Sequence, residues 1–151
     1  MINNKVVVFT SGTWDLFHIG HLNILKKSKK LGDILIVGVS TNQLVKSYKT
    51  ESPIVNYAQR AQIVRSCKYV DKVIKQSTLV DIKILKKYKV DIITIGSDWK
   101  GKHLDGLEYM KVHGKVIYLP YTTGVSTNII KKSILKKSFN IIKSMVKRDQ
   151  V

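Results

Sequence analysis

Short runs of β-branched apolar residues alternate with helical segments along the chain, and this alternation constrains the fold more than any other feature. The apolar runs are residues 6–9, 34–39, 72–74, 92–95 and 116–119. The helical segments, with apolar residues three and four positions apart, are residues 19–31, 57–67, 79–88 and 104–112. Continuous apolar runs are typical of parallel strands buried on both faces. The order predicts a doubly wound α/β domain with five parallel strands.

The length of 151 residues suits one domain. We assign residues 1–137 to this domain and residues 138–151 to a basic helical extension of it. The 27 Lys and Arg against 10 Asp and Glu give a formal charge of +17, which suits phosphorylated small molecules, nucleic acid or an anionic membrane. Aromatic residues are not interleaved with the basic ones, so we expect no nucleic acid partner.

The sequence has a single cysteine, Cys67, which excludes an internal disulfide and favours the cytoplasm. Apolar runs such as Ile34 to Val39 are far shorter than the ~20 residues that a membrane span needs. The basic segment 128–148 could lie on an anionic membrane as an amphipathic helix. We expect it to pack on its own domain or on a second subunit instead.

Two histidines lie three residues apart where the first strand gives way to a helix. The segment reads TSGTWDLFHIGH from Thr10 to His21. The N–H groups of a first helical turn bind anions, and both imidazoles can face the same one. Gly12 and Gly20 let the backbone approach a ligand without an intervening Cβ. We therefore predict a phosphate site. A zinc site is the alternative, although Asp15 is the only nearby third ligand.

The His18-Ile19-Gly20-His21 segment resembles the His-x-Gly-His motif of the cytidylyltransferase-like nucleotidyltransferases. This resemblance runs from Val6 to about Ile134 and implies a Rossmann-like fold. It implies that His18 and His21 stabilise a triphosphate while its α-phosphorus is attacked. The other nearby residues that we assign to the site are Thr10, Gly12, Thr13 and Gly20 for the nucleotide and Asp15 for the acceptor.

Several basic residues match further elements of the family. Lys49, with Lys46 beside it, stands where relatives have a lysine that closes over the triphosphate, and we assign Lys49 to catalysis. Arg60 and Lys68 lie in segments that look like the family's Glu-x-Arg and Tyr-Val-Asp elements. Because such an arginine reaches a phosphate, we assign Lys46, Arg60 and Lys68 to acceptor binding.

The segment after the fourth strand indicates the donor nucleotide. Asp98-Trp99-Lys100-Gly101-Lys102 looks like the Asp-Trp-x-Gly-Lys stretch of glycerol-3-phosphate cytidylyltransferases, a branch of this family. A carboxylate can accept from the exocyclic amine of cytosine, which would disfavour uracil. The resemblance therefore implies CTP as donor, with Asp98 at its base.

Gly124-Val125-Ser126-Thr127 resembles the family's second signature, in which a Ser-Thr pair at a helix start holds the β- and γ-phosphates. We assign Ser126 and Thr127 to the nucleotide. Immediately before it, this chain has Tyr121-Thr122-Thr123 where the glycerol-3-phosphate branch has Arg-Thr-Glu. The missing arginine leaves the identity of the acceptor open.

Together these features predict transfer of CMP from CTP to a small phosphorylated alcohol, such as glycerol 3-phosphate, with release of pyrophosphate. We expect Mg²⁺ bound through the nucleotide phosphates, no protein-held metal, no membrane contact and a homodimer. The alternatives are an ATP-dependent adenylyltransferase for a sugar phosphate, a cytidylyltransferase for ethanolamine phosphate, choline phosphate or an unusual acceptor, and a basic nucleic-acid-binding module.

Overall fold

The structure, a computed structural model, describes residues 5–148. The strands are β1 (Val7–Gly12), β2 (Ile34–Ser40), β3 (Lys72–Gln76), β4 (Ile92–Gly96) and β5 (Lys115–Leu119). The helices are α1 (Ile19–Lys29), α2 (Asn42–Tyr48), α3 (Tyr57–Arg65), α4 (Ile82–Lys87), α5 (Asp105–His113) and α6 (Thr127–Arg148), with a 3₁₀ turn over Ser97–Trp99. Residues 1–4 of the predicted domain and residues 149–151 of the predicted helical extension lie outside the described residues.

All strand pairs are parallel, and the strand order is β3-β2-β1-β4-β5. The central strand alternates its side chains between two cores. Val8 packs with residues of α1 and α3 on one face, and Phe9 packs with residues of α4 and α5 on the other. The predicted doubly wound sheet is confirmed, and its winding reverses between β1 and β4. Ligands bind at such a reversal, beyond the carboxyl ends of the strands.

Two local differences from the sequence prediction have physical causes. α2 was not predicted, because only Leu44 and Val45 of its seven residues are buried and so short a pattern carries little helical periodicity. The segment 79–88 was predicted to be helical, yet α4 begins at Ile82. Val80 has a φ of +43°, and the Asp81 side chain accepts from Lys83 N at 2.8 Å, which fixes the helix start there.

The final helix, α6, is continuous from Thr127 to Arg148. It leaves several large apolar side chains exposed, namely Ile129, Ile134, Leu135, Phe139 and Ile142. The proposed boundary at residue 137 therefore falls inside a helix, and it stays a prediction. Within residues 5–148, no helix is long and apolar enough to cross a membrane.

Candidate active site

A cavity of about 740 Å³ opens at the carboxyl ends of β1 to β4. The predicted site residues that line it are Thr10, Gly12, Thr13, Asp15, His21, Lys49, Asp98 and Thr127. The structure also describes the other predicted site residues, and these do not line the cavity. They are His18, Gly20, Lys46, Arg60, Lys68 and Ser126. Residues from both signatures, more than 100 positions apart in the chain, thus border one space.

The histidine pair is held by the first turn of α1. His18 is the N-cap residue, and its Nδ1 accepts from Gly20 N at 3.1 Å. His21 Nδ1 accepts from His18 N at 3.4 Å, and the two rings stack with centroids 3.9 Å apart. Because each Nδ1 is an acceptor, each neutral ring carries its proton on Nε2. The turn therefore presents two Nε2–H donors.

Gly20 leaves room for this arrangement. A Cβ at this position would lie 2.9 Å from both Cε1 and Nδ1 of the His18 ring. A side chain there would push the ring off the Gly20 N–H that it caps. The glycine between the two histidines is thus required by the imidazole packing itself.

The environment of His21 keeps its imidazole neutral. Trp14 and Phe17 each place a ring centroid 5.4 Å from that of His21. Burial is the main cause that lowers the pKa of His21 to about 3; the charges of His18 and Lys49 act in the same direction, and that of Asp15 opposes them. Burial also lowers the pKa of His18. At neutral pH both rings are hydrogen-bond donors without charge.

We expect the His21 ring to remain neutral from pH 8 down to pH 5. In the unfolded chain a histidine binds a proton near pH 6.5, whereas folded His21 does so only near pH 3. The free energy of unfolding should therefore decrease as the pH falls from about 6.5 towards 3. NMR titration of the His21 Cε1–H signal checks this, with the urea-unfolded chain as reference. A midpoint near 6.5 in the folded protein would contradict the assigned environment.

Asp15 anchors the loop that precedes α3. It is buried, and its carboxylate oxygens accept from Ile54 N and Val55 N, each at 2.9 Å. The residues on either side, Trp14 and Leu16, have φ values of +58° and +45°. Non-glycine residues in this conformation cost about 1–3 kcal/mol each and cluster at functional sites. The turn after β1 is therefore strained, and an acceptor contact for Asp15 stays a prediction.

The second signature meets the first at the start of α6. Thr127 Oγ1 donates to Asp15 O at 3.0 Å, and Ser126 Oγ accepts from Ile129 N at 3.1 Å. A Cβ on Gly20 would lie 3.4 Å from Val125 Cγ1, so the two helix starts nearly touch. Ser126 caps α6, whereas Thr127 ties it to the turn after β1. The N-termini of α1 and α6 can thus bind one polyphosphate.

The three predicted lysines differ in position. Lys49 ends α2 at the cavity, with its Nζ 5.9 Å from the Tyr48 ring. Lys46 is exposed in the last turn of α2. Lys68 follows α3, with its Nζ 5.3 Å from the Tyr69 ring. Of the three predicted lysines, Lys49 is the one that borders the cavity. Roles for Lys46 and Lys68 in acceptor binding stay predictions.

Arg60 is fully buried and holds three chain segments together. Its Nε donates to Val55 O at 2.9 Å, one terminal nitrogen donates to Thr13 O, and the other donates to Asn42 Oδ1 at 2.7 Å. Burial lowers its pKa and the Asp15 carboxylate opposes this. Arg60 therefore positions the turn after β1 against α2, and its predicted contact with an acceptor stays a prediction.

Asp98 and Tyr121 face each other across Gly96. A Cβ on Gly96 would lie 2.7 Å from Asp98 Oδ1 and 2.9 Å from the Tyr121 hydroxyl. Burial, together with a hydrogen bond to Asp98, raises the pKa of Tyr121, so its hydroxyl remains a donor to the carboxylate. At position 121, where the glycerol-3-phosphate branch has an arginine, this chain thus has a phenol. Its hydroxyl donates a hydrogen bond to Asp98, the carboxylate that is predicted to read the base.

Trp14 and Gln76 are among the cavity residues that the sequence analysis did not assign to the site. Trp14 lines the cavity, and its Nε1 donates to Gly38 O at 3.0 Å. Gln76 lines it at the end of β3. Its position directly after a buried strand is the signal that could have identified it, because function in such folds lies just beyond the strands.

The chain is similar in sequence to several known proteins. The family model "Cytidylyltransferase-like" matches residues 9–133. A glycerol-3-phosphate cytidylyltransferase of Bacillus spizizenii is 41% identical over 130 residues, which are 84% of this chain and 95% of the relative. The chain is also 34% identical to the bifunctional protein HldE of Campylobacter fetus over 86% of its own length, but that match spans only 28% of the relative.

Among solved structures, the chain is similar to a lipopolysaccharide core biosynthesis protein from Thermoplasma volcanium. The TM-score is 0.62 at 30% sequence identity, and the match covers 78% of this chain and 97% of the other. The residues after 133 lie beyond the match to the family model.

Proposed function

The chain belongs to the cytidylyltransferase-like family, and we propose on that premise that it transfers CMP from CTP to glycerol 3-phosphate or a similar small phosphorylated alcohol. Pyrophosphate is released. One observation carries the proposal: His21, Lys49, Asp98 and Thr127 border a single cavity. These side chains supply donors and a cation for a triphosphate at one end and a carboxylate for a base at the other.

In the proposed reaction, an oxygen of the acceptor's phosphate attacks the α-phosphorus of CTP in line. A new P–O bond forms while the bond to the bridging oxygen of the β-phosphate breaks, and its electron pair leaves with pyrophosphate. The Nε2–H groups of His18 and His21 donate to phosphate oxygens on which charge develops. Lys49 adds a movable positive charge, and the N–H groups at the start of α6 bind the leaving phosphates.

Mg²⁺ enters this proposal as a partner of the nucleotide. Nowhere in the described part of the chain do three His, Cys, Asp or Glu side chains converge as a metal site would need. Both oxygens of the buried Asp15 carboxylate already accept backbone hydrogen bonds. These observations suit a metal carried by phosphate oxygens, where it would neutralise charge on the triphosphate.

A nucleotide panel tests the choice of donor. With glycerol 3-phosphate as acceptor, we expect pyrophosphate release with CTP and about 10- to 100-fold slower release with UTP, because Asp98 can accept from an amine but not from a carbonyl. An Asp98→Asn variant should have a smaller ratio of the CTP rate to the UTP rate. Asp105→Asn, an exposed carboxylate on α5, is the matched control and should leave the ratio unchanged.

The second candidate is ATP-dependent adenylyl transfer to a sugar phosphate. Only the similarity to the HldE protein favours it, and that match spans about a quarter of the relative. Turnover with ATP and a sugar phosphate, together with none for CTP and any phosphorylated alcohol, would establish this candidate. Turnover of CTP with ethanolamine phosphate or choline phosphate alone would keep the donor and change the acceptor.

We propose further that the enzyme is a cytoplasmic homodimer. Exposed apolar side chains on one face of a helix commonly pack on a second subunit, and α6 exposes Ile134, Leu135 and Phe139. The single cysteine suits a reducing compartment. Sedimentation velocity at micromolar concentration tests the dimer, and a monomer that binds anionic vesicles would contradict it.

A further inference from the structure

Gln76 ends β3 with a side-chain amide that has no hydrogen-bond partner. The residue is 1% exposed, and within residues 5–148 neither its Oε1 nor its Nε2 has a partner. Its backbone is fixed, because Gln76 O accepts from Thr41 N at 2.9 Å. Folded proteins rarely leave a buried amide unpaired, so such a group calls for a specific explanation.

Gln76 lines the cavity at the corner where β2 and β3 end. Ser40 is its register partner on β2, so both side chains lie on the same face of the sheet. Gly38 makes room for the amide, since a Cβ there would lie 2.5 Å from Gln76 Oε1 and 3.0 Å from Ser11 Cβ. Ser11 and Ser40 also line the cavity. The corner thus combines three uncharged polar side chains with the edge of the Phe9 ring, which would lie 3.0 Å from a Cβ on Gly38.

We infer that Gln76 binds a hydroxyl group of the acceptor, so that this corner accepts a phosphorylated polyol. The inference rests on the proposed function and narrows its acceptor. A carboxamide offers both an acceptor oxygen and a donor nitrogen, and a hydroxyl can pair with both. The quaternary ammonium of choline phosphate can pair with neither and favours an aromatic cage instead.

The geometry of the sheet separates this corner from the base end of the cavity. Gln76 ends β3 and Ser40 ends β2, whereas Asp98 follows β4. The α1 turn with the histidine pair follows β1, which lies between β2 and β4 in the sheet. An acceptor bound at Gln76 would therefore approach the triphosphate from the side of β2 and β3, away from Asp98.

A Gln76→Met variant, which keeps the approximate volume and removes the amide, tests the inference. We expect the KM for glycerol 3-phosphate to rise about 10- to 100-fold, with the KM for CTP unchanged. The urea midpoint of unfolding should stay the same or rise, because the amide makes no internal hydrogen bond. The matched control is Gln59→Met, an exposed glutamine on α3, which should change neither constant.

Acceptor analogues separate this inference from the proposed function. Wild-type enzyme should prefer glycerol 3-phosphate over the phosphates of 1,2-propanediol, 1,3-propanediol or propanol, and Gln76→Met should lose at least one of these preferences. A Gln76→Met enzyme with unchanged preferences and KM, or one with a clearly lower urea midpoint, would overturn the inference alone. No turnover of CTP with any of these acceptors by wild type would overturn the proposed function.

Discussion

A double variant with His18→Asn and His21→Ala should release pyrophosphate from CTP about 10³-fold more slowly than wild type, or slower still. One preorganised donor to a developing charge contributes about 10²–10³ in rate, and two donors that act together are not additive. Because the rings are stacked and each is fixed by a backbone N–H, their Nε2–H groups are oriented before the nucleotide binds. The loss should therefore fall mainly on kcat.

The choice of asparagine at position 18 protects the fold. His18 is the N-cap of α1, and asparagine is among the best N-cap residues, so the variant removes a donor but keeps the cap. His113→Ala, an exposed residue at the end of α5, is the matched control and should retain full activity. Initial rates measure the effect, and urea unfolding verifies the fold. A double variant that is folded and active within tenfold of wild type would exclude the histidine pair from the chemistry.

Replacing Arg60 by methionine should reduce the free energy of unfolding by about 3–5 kcal/mol, because it leaves three part-buried acceptors unpaired at about 1–3 kcal/mol each. The change would leave the carbonyls of Thr13 and Val55 and the amide of Asn42 without their donor. It would also remove a cation that interacts with the buried Asp15 carboxylate. Equilibrium unfolding in urea measures the loss.

Arg65→Met is the matched control, since Arg65 is exposed on the same helix and such changes usually stay within about 0.5 kcal/mol. Arg60→Lys should be nearly as damaging as Arg60→Met, because an ammonium cannot reproduce the planar fork of donors. One other result would support the predicted role of Arg60 in acceptor binding. An Arg60→Lys enzyme of wild-type stability with a raised KM for glycerol 3-phosphate alone would show that the guanidinium serves the substrate.

The sequence predicted the order and type of most elements, because β-branched runs and helical periodicity are local signals. All five strands occur where apolar runs stand, each within about three residues of the predicted ends. The sequence did not predict α2, whose stability comes from the burial of two residues and from the Thr41 N-cap. That burial depends on the loops around it, which a local pattern does not record.

For the site, motifs located the residues but not their contacts. The prediction that a helix start carries the His-x-Gly-His pair is matched by α1, which begins at Ile19. The contacts of Arg60 could not be predicted, since Thr13, Asn42 and Val55 come from three segments that are far apart in the chain. Nor could the unpaired amide of Gln76 be predicted, since it depends on Gly38, which lies two residues before its register partner Ser40 on the neighbouring strand.

The strand order has a consequence for how such enzymes can diversify. Since the loops after β4 and β5 flank one side of the central strand and the ends of β2 and β3 flank the other, mutations on one side need not disturb the other. A lineage could thus exchange the alcohol that it modifies while it inherits the same nucleotide, or the reverse. On the proposed function, the triphosphate would bind at the centre, and its site would be the one feature that no descendant could alter without losing the reaction.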